Sequence, residues 1–163
     1  MAAQAAAPTR VSVEPVKPAV RSRIPANVTT LPTLEERLPK KDYFVERDGQ
    51  VFAGTHLLID FWNATRLDDP DYIEKALRKA VAAAGATLLH IHLHHFTPNG
   101  GVSGVAVLAE SHISLHTWPE RGFAAFDVFM CGACDPHKAM PALRAAFKPQ
   151  RIEVQEEKRG LVD

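Results

Sequence analysis

The chain has 163 residues, a length typical of one domain, and 46% of them are apolar, which is enough to build a core. Lysine plus arginine equals aspartate plus glutamate at 19 each, so the charge balance does not support a broad nucleic-acid surface. No apolar run is long enough to span a membrane, and no secretory signal is visible. The two cysteines are too few for a disulfide framework, and we therefore expect a cytoplasmic protein with free thiols.

The first 42 residues differ in composition from the rest of the chain. They hold six of the twelve prolines and a run of three alanines at 5–7, and they show no apolar periodicity. Such a segment buries too little apolar surface to offset the entropy lost on ordering. We therefore predict a disordered extension over residues 1–42 and a folded domain over residues 43–163.

The folded part alternates strand-like and helix-like patterns. Apolar runs predict strands over 55–62 and 86–96, separated by a helix that opens at Asp68-Asp69-Pro70 and is capped by Gly85. After a turn at 97–101, strand patterns recur over 102–109, 111–118 and 123–131. A second helix begins at Asp135-Pro136, and residues 151–157 alternate as a last strand. The order, β-α-β, then further strands, then α-β, predicts an α+β fold, a mostly antiparallel sheet with two helices on one face and a second subunit covering the other.

A serine, a histidine and a cysteine lie inside the strand-like stretch LAESHISLHTWPERGFAAFDVFMCG, residues 108–132. A serine hydroxyl can attack the preceding carbonyl group and convert the Glu110–Ser111 amide into an ester. A base can then remove the serine α-proton and eliminate the upstream chain, after which hydrolysis leaves a pyruvoyl group. This chemistry needs backbone strain and a base, and His116 is the nearest base in sequence. Positions five apart on a strand face opposite ways, so we expect Ser111 at a bend or a strand start.

The stretch closely resembles the signature of the prokaryotic S-adenosylmethionine decarboxylases. It has the Glu-Ser-His start, the His-Thr-Trp-Pro-Glu middle and the Cys-Gly end of that signature. The upstream HHFTPNGGVSG, residues 94–104, resembles another block of the same family, with one extra glycine. The resemblance covers about residues 54–158. It implies a self-processing, pyruvoyl-dependent enzyme that decarboxylates S-adenosylmethionine to the aminopropyl donor for spermidine synthesis.

The resemblance also implies roles for the reactive residues. Cleavage between Glu110 and Ser111 would convert Ser111 into the pyruvoyl group, which would form a Schiff base with the substrate amine. His116 would be the base in processing, and Ser103 would line the same pocket and assist. Cys131 would protonate the product after carbon dioxide is lost, a role that a neutral thiol can fill at neutral pH.

Three further residues would bind the substrate by the same resemblance. Phe96 would stack on the adenine and Glu120 would accept hydrogen bonds from the ribose hydroxyls, with Trp118 beside it. The family implies a heterotetramer of two β chains (residues 1–110) and two α chains (residues 111–163), with sites near the dimer interface.

Other interpretations of these residues remain open. A pyruvoyl enzyme on the same scaffold could act on arginine or ornithine, although Phe96 and Glu120 favour the nucleoside. His90, His92 and His94 share one face of a predicted strand, as the ligands of a non-catalytic metal-binding protein would, or they form a polar sheet face. Cys131 and Cys134 form a C-x-x-C pair, which also occurs in redox and zinc sites.

Overall fold

The computed structural model describes residues 43–162. The predicted N-terminal extension, residues 1–42, lies outside the described residues. Within them, no helix is both long enough and apolar enough to cross a membrane.

A single antiparallel sheet of six strands forms the centre of the domain. In chain order these strands are β3 (Gly54–Trp62), β4 (Leu88–His95), β5 (Val102–Leu108), β6 (Ser111–Trp118), β7 (Phe123–Met130) and β8 (Arg151–Arg159). They are arranged in the order β4-β5-β6-β7-β3-β8, and all neighbours are antiparallel. The strand predictions are correct to within a few residues at each end.

Helices α1 (Pro70–Ala83) and α2 (Ala139–Phe147) cover one face of this sheet, as predicted. Burial alternates along most of β3, β6 and β7, so every second side chain of these strands is buried under the helices. Phe61 and Phe126 have ring centroids 5.1 Å apart, and Phe147 of α2 packs on both. Each of these rings is fully buried, which stabilises the fold by about 1.5–3 kcal/mol per side chain.

Helix α1 begins as the sequence predicts. Asp69 is the N-cap, its carboxylate accepts a hydrogen bond from the Tyr72 backbone N–H, and Pro70 occupies the first turn. The C-cap residue is Ala84, and Gly85 follows it with a φ of +73°. The predicted cap at Gly85 is therefore one residue late, although glycine supplies the left-handed conformation that ends the helix.

The second helix is shorter than predicted. Residues Pro136–Lys138 form a 3₁₀ turn capped by the Asp135 side chain, and the α-helix begins at Ala139. Pro141 is the third residue of α2, where a missing backbone N–H removes no intrahelical bond, and the helix tolerates it there.

A hairpin of β1 (Val45–Arg47) and β2 (Gln50–Phe52) precedes the sheet and was not predicted. Its two-residue turn, Asp48-Gly49, has positive φ at both positions. An Asp-Gly pair between two short strands is a strong hairpin signal, and it was available in the sequence. The hairpin packs through the fully buried Phe52 and through an isolated bridge between Val51 and Val162.

The sheet face opposite the helices mixes polar and aromatic side chains. At its centre Ser114 donates a hydrogen bond to Asp127 (2.9 Å), and the Nε2 atom of His56 lies 3.5 Å from the same carboxylate. Leu58, Val107 and Trp118 are exposed on this face. Covering of this face by a second subunit remains a prediction.

Candidate active site

The predicted cleavage site lies where β5 turns into β6. The two strands are joined by the two-residue turn Ala109–Glu110, and Leu108 pairs with Ser111 across it. Ser111 is the first residue of β6 and has a φ of 151°, a positive value that L residues rarely adopt. Ser111 is therefore at a strand start with a strained backbone, which is the placement that the sequence led us to expect.

Cys131 contacts the carbonyl group that the serine would attack. The carbonyl oxygen of Glu110 accepts a hydrogen bond from the Cys131 backbone N–H at 3.1 Å and from its Sγ at 3.0 Å. Cys131 follows the last residue of β7, and β7 pairs with β6, so the two elements bring the residues together from 21 positions apart. Two donors on one carbonyl oxygen are the arrangement that stabilises an oxyanion in acyl transfer.

Ser103 and His116 pair at the opposite end of the same strands. They are register partners on β5 and β6, and the Ser103 Oγ lies 2.7 Å from the His116 Nδ1. Both side chains point to the sheet face that the helices leave open. The hydrogen bond orients the imidazole ring and directs its other nitrogen away from Ser103.

A cavity of about 400 Å³ opens beside this pair. Its walls include all five of the predicted residues at this end, together with the turn after β4, which the predictions did not include. The predicted residues in its lining are Phe96, Ser103, His116, Trp118 and Glu120, and the additional ones are Thr97, Pro98, Asn99, Gly101 and Thr117. The signal for Thr97, Pro98, Asn99 and Gly101 was the turn directly after Phe96, and Thr117 lies within the His-Thr-Trp-Pro-Glu motif.

The structure divides the predicted site into two groups. Ser111, Glu110 and Cys131 lie at one end of β6 and His116 lies five residues along it, which at strand spacing is about 16 Å away. In regular strand geometry the odd separation would also place Ser111 and His116 on opposite faces, but the φ of 151° at Ser111 departs from that geometry. One chain thus does not bring the serine and its predicted base together.

Comparison with known proteins identifies the family of the chain. The family model described as S-adenosylmethionine decarboxylase matches residues 55–160. The chain belongs to the S-adenosylmethionine decarboxylase family. The S-adenosylmethionine decarboxylase proenzyme of Methanococcus vannielii is 50% identical over 113 residues, 68% of this chain and 92% of the relative. That of Thermomicrobium roseum is 46% identical over 110 residues, 67% of this chain and 95% of the relative.

A solved structure supports the same assignment. The adenosylmethionine decarboxylase of Aquifex aeolicus VF5 superposes with a TM-score of 0.62 at 38% identity, covering 69% of this chain and 94% of that one. The family and the α+β fold predicted from the sequence are therefore confirmed, and with them the prediction that the chain is an S-adenosylmethionine decarboxylase. The hairpin of β1 and β2 lies before the part that the family model matches.

The histidines of β4 do not form a metal site in this decarboxylase. His90, His92 and His94 share the open face of the edge strand, as the alternation predicts, and all three are exposed. Within residues 43–162, no group of three histidine, cysteine, aspartate or glutamate side chains is placed to hold a metal ion. His94 instead packs edge-on against Phe96, with ring centroids 4.5 Å apart.

The second cysteine of the C-x-x-C pair is structural. Cys134 is buried, and its thiol donates a hydrogen bond to the carbonyl oxygen of Gly85 at 3.3 Å. Burial raises the pKa of the Cys134 thiol, and the nearby Glu110 and Cys131 raise it further. Both cysteines are free thiols. Of the two thiols, that of Cys131 donates a hydrogen bond to the Glu110 carbonyl oxygen.

Proposed function

We propose that this chain is a proenzyme that cleaves itself between Glu110 and Ser111 and then decarboxylates S-adenosylmethionine. The observation that carries the proposal is the strained φ of Ser111 next to a carbonyl group that accepts two hydrogen bonds from Cys131. Membership of the S-adenosylmethionine decarboxylase family supports it, because the relatives are named proenzymes.

Self-cleavage would begin with an acyl shift. The Ser111 hydroxyl loses its proton and its Oγ bonds to the Glu110 carbonyl carbon, and the Cys131 donors stabilise the negative charge on the carbonyl oxygen. The C–N bond then breaks, and the released nitrogen takes up a proton, leaving an ester and a free amine. Removal of the Ser111 α-proton then breaks the ester Oγ–Cβ bond. The upstream chain, residues 1–110, leaves with a main-chain carboxylate at its new C-terminus. Water then displaces ammonia from the dehydrated residue to leave a pyruvoyl group.

The base for these proton transfers would come from a second copy of the chain. His116 is the predicted base, but it lies at the far end of β6 from Ser111 in its own chain. Two copies stacked through their open sheet faces about a two-fold axis would place the His116 end of one over the Ser111 end of the other. Stacked sheets lie about 10 Å apart, which side chains can span. The predicted heterotetramer of two α and two β chains follows from this arrangement.

The pyruvoyl group would take the place of Ser111, at the start of β6. A ketone conjugated to an amide accepts the electron pair that remains when carbon dioxide leaves, as pyridoxal phosphate does. Cys131 is the proton donor on this side of the site, since its thiol already lies within hydrogen-bond distance of the residue before Ser111. The same turn and cysteine would thus serve both processing and turnover.

The cavity at the other end suits a nucleoside. Phe96 offers a flat face for an adenine and Glu120 a carboxylate for vicinal hydroxyls, and both line the same space. Trp118 stacks on Phe123 with ring centroids 5.3 Å apart, which holds the indole against the cavity. Arginine and ornithine have no ring to stack, so S-adenosylmethionine is the better substrate, and its product would be the aminopropyl donor for spermidine.

The test is the intact mass of the purified full-length protein under denaturing conditions. We expect two fragments, residues 1–110 and 111–163, with the smaller one lighter than a serine-ended fragment and blocked to N-terminal labelling. Ser111→Ala should stay whole. The cleaved protein should release carbon dioxide from carboxyl-labelled S-adenosylmethionine but not from arginine or ornithine. A folded wild-type chain that stays whole on long incubation would refute the proposal, and release from arginine alone would reassign the substrate.

A further inference from the structure

Thr87, the last residue before β4, holds the side chain of Glu110. Its backbone N–H donates to the Glu110 Oε2 at 2.8 Å and its hydroxyl donates to Oε1 at 3.1 Å. Its carbonyl oxygen also accepts a hydrogen bond from the Ala109 backbone N–H at 3.0 Å. Three hydrogen bonds from the α1–β4 connection thus reach both residues of the β5–β6 turn.

The backbone of this turn departs from the usual hairpin geometry. Two-residue hairpin turns normally place positive φ values within the turn, at one or both of its residues. Here neither Ala109 nor Glu110 has a positive φ, and the positive value falls on the next residue, Ser111. The unfavourable conformation is therefore displaced from the turn onto the residue that would attack.

Glu110 is restrained on both sides of its Cα atom. Thr87 binds both carboxylate oxygens, while Cys131 binds the carbonyl oxygen through its N–H and its Sγ. Relaxation of Ser111 toward ordinary strand geometry requires rotation of the Glu110–Ser111 peptide plane. That rotation would break the Cys131 contacts or pull the carboxylate from Thr87.

We propose that Thr87 is a positioning residue for self-cleavage. By hydrogen bonding to the Glu110 side-chain carboxylate, it keeps the Glu110–Ser111 peptide in its strained geometry. This inference rests on the proposed cleavage at that bond. Thr87 does not touch the reacting atoms and acts only through Glu110. The step that it assists is the acyl shift, in which the Oγ–C bond forms, the C–N bond breaks and the hydroxyl proton ends on the released nitrogen.

The experiment follows cleavage of freshly synthesised full-length chain in a cell-free translation system, on denaturing gels. Thr87→Val keeps the side-chain shape and the backbone N–H but removes the hydroxyl, so we expect cleavage to slow about three- to tenfold. Thr87→Ser should restore the rate. Thr65→Val is the matched control, because it removes a comparable hydroxyl bond to the Phe147 carbonyl, far from the turn.

A double-mutant cycle tests whether the effect passes through Glu110. Glu110→Ala removes both side-chain bonds and should slow cleavage at least as much as Thr87→Val. The combined variant should then be no slower than Glu110→Ala alone. Each variant is also made with Ser111→Ala, so that thermal unfolding of the uncleaved chains reports stability separately from cleavage.

Hydroxylamine gives a further readout, because it cleaves esters. If Thr87→Val slows the acyl shift, hydroxylamine should not accelerate its cleavage, whereas it should accelerate cleavage in a variant that stalls after the ester has formed. If the wild type cleaves and Thr87→Val cleaves at the same rate, the proposed role of Thr87 is wrong. It is also wrong if the rate losses of Thr87→Val and Glu110→Ala are additive in the double variant. Absence of cleavage in the wild type would instead overturn the proposed function.

Discussion

The Ser103 Oγ lies 2.7 Å from the His116 Nδ1, and this pair is separated from Ser111 by the length of β6. In a single chain, the Ser103–His116 pair and the cleavage site therefore lie at opposite ends of β6. An enzyme that needs both must combine the ends of two chains, and this requirement can be tested directly.

Complementation between two inactive variants is the first prediction. Chains with His116→Ala keep Ser111, and chains with Ser111→Ala keep His116, so neither should cleave alone. When the two are co-expressed, the His116→Ala chain should be cleaved at Glu110–Ser111, because its partner supplies the imidazole. Mass spectrometry identifies which chain was cut. If His116 acts on its own Ser111, the mixture stays whole.

Cys131 and Cys134 should respond differently to the same substitution. Cys131→Ala removes a thiol donor at the Glu110 carbonyl and the proposed proton donor, so decarboxylation by the cleaved fraction should fall about a hundredfold or more. Cys134→Ala removes only the bond to Gly85 and should leave the decarboxylation rate near that of the wild type. Carbon dioxide release measures both. Equal losses in the two variants would contradict the assignment of the proton donor to Cys131.

Glu120 should contribute to binding more than to the chemical step. Glu120→Gln keeps the side-chain shape but replaces a charged acceptor with a neutral one, so KM for S-adenosylmethionine should rise about tenfold with kcat little changed. Glu74→Gln, on the exposed surface of α1, is the matched control. Steady-state kinetics on cleaved protein separate the two constants. A fall in kcat with KM unchanged would place Glu120 in the reaction instead.

Phe96 should act by stacking. Phe96→Leu keeps an apolar side chain but loses the flat ring, so affinity for S-adenosylmethionine and for adenosine should fall together by about three- to tenfold. Isothermal titration of both ligands against cleaved enzyme checks this. A loss for S-adenosylmethionine alone would show that the ring does not contact the adenine.

Asp69, the N-cap of α1, should make the free energy of unfolding depend on pH in acidic solution. Hydrogen bonds from the Tyr72 N–H and from Arg66 lower the pKa of Asp69 below its usual value. A carboxyl group whose pKa is lower in the folded state stabilises the fold above its unfolded pKa, and that contribution is lost as the pH falls through the folded value. The loss should therefore occur below about pH 4.

Two substitutions separate the charge of Asp69 from its capping bond. Asp69→Asn still accepts from Tyr72, so it should keep much of the neutral-pH stability but reduce the acid dependence. Asp69→Ala should lower the melting temperature at neutral pH as well. The measurement is thermal unfolding from pH 3 to pH 7 of the parent, Asp69→Asn and Asp69→Ala chains, each carrying Ser111→Ala. If the melting temperatures of all three fell in parallel with pH, this account would be wrong.

The helices and strands were predictable because local patterns decide them. The alternation of β3 to β8, the Asp69 cap and the stripe on α1 are local features, and their partners are within a few residues. The motif residues were also readable, since the signature runs along the chain. The hairpin at Asp48-Gly49 carried a local signal that was overlooked, and the start of α2 was misplaced because a 3₁₀ turn and an α-helix share the same capping residues.

The amino-acid sequence alone was enough to predict the family and the strand and helix pattern, and it supplied the candidates for the reactive residues. Which of these candidates lie in contact became clear from the three-dimensional fold. The pairing of β7 with β6 sets Cys131 against Glu110, and the register of β5 on β6 sets Ser103 against His116. The rise of a strand, about 3.3 Å per residue, keeps Ser111 and His116 apart although they are five positions from each other. Register and strand order depend on burying one face of the whole sheet, which no local pattern specifies.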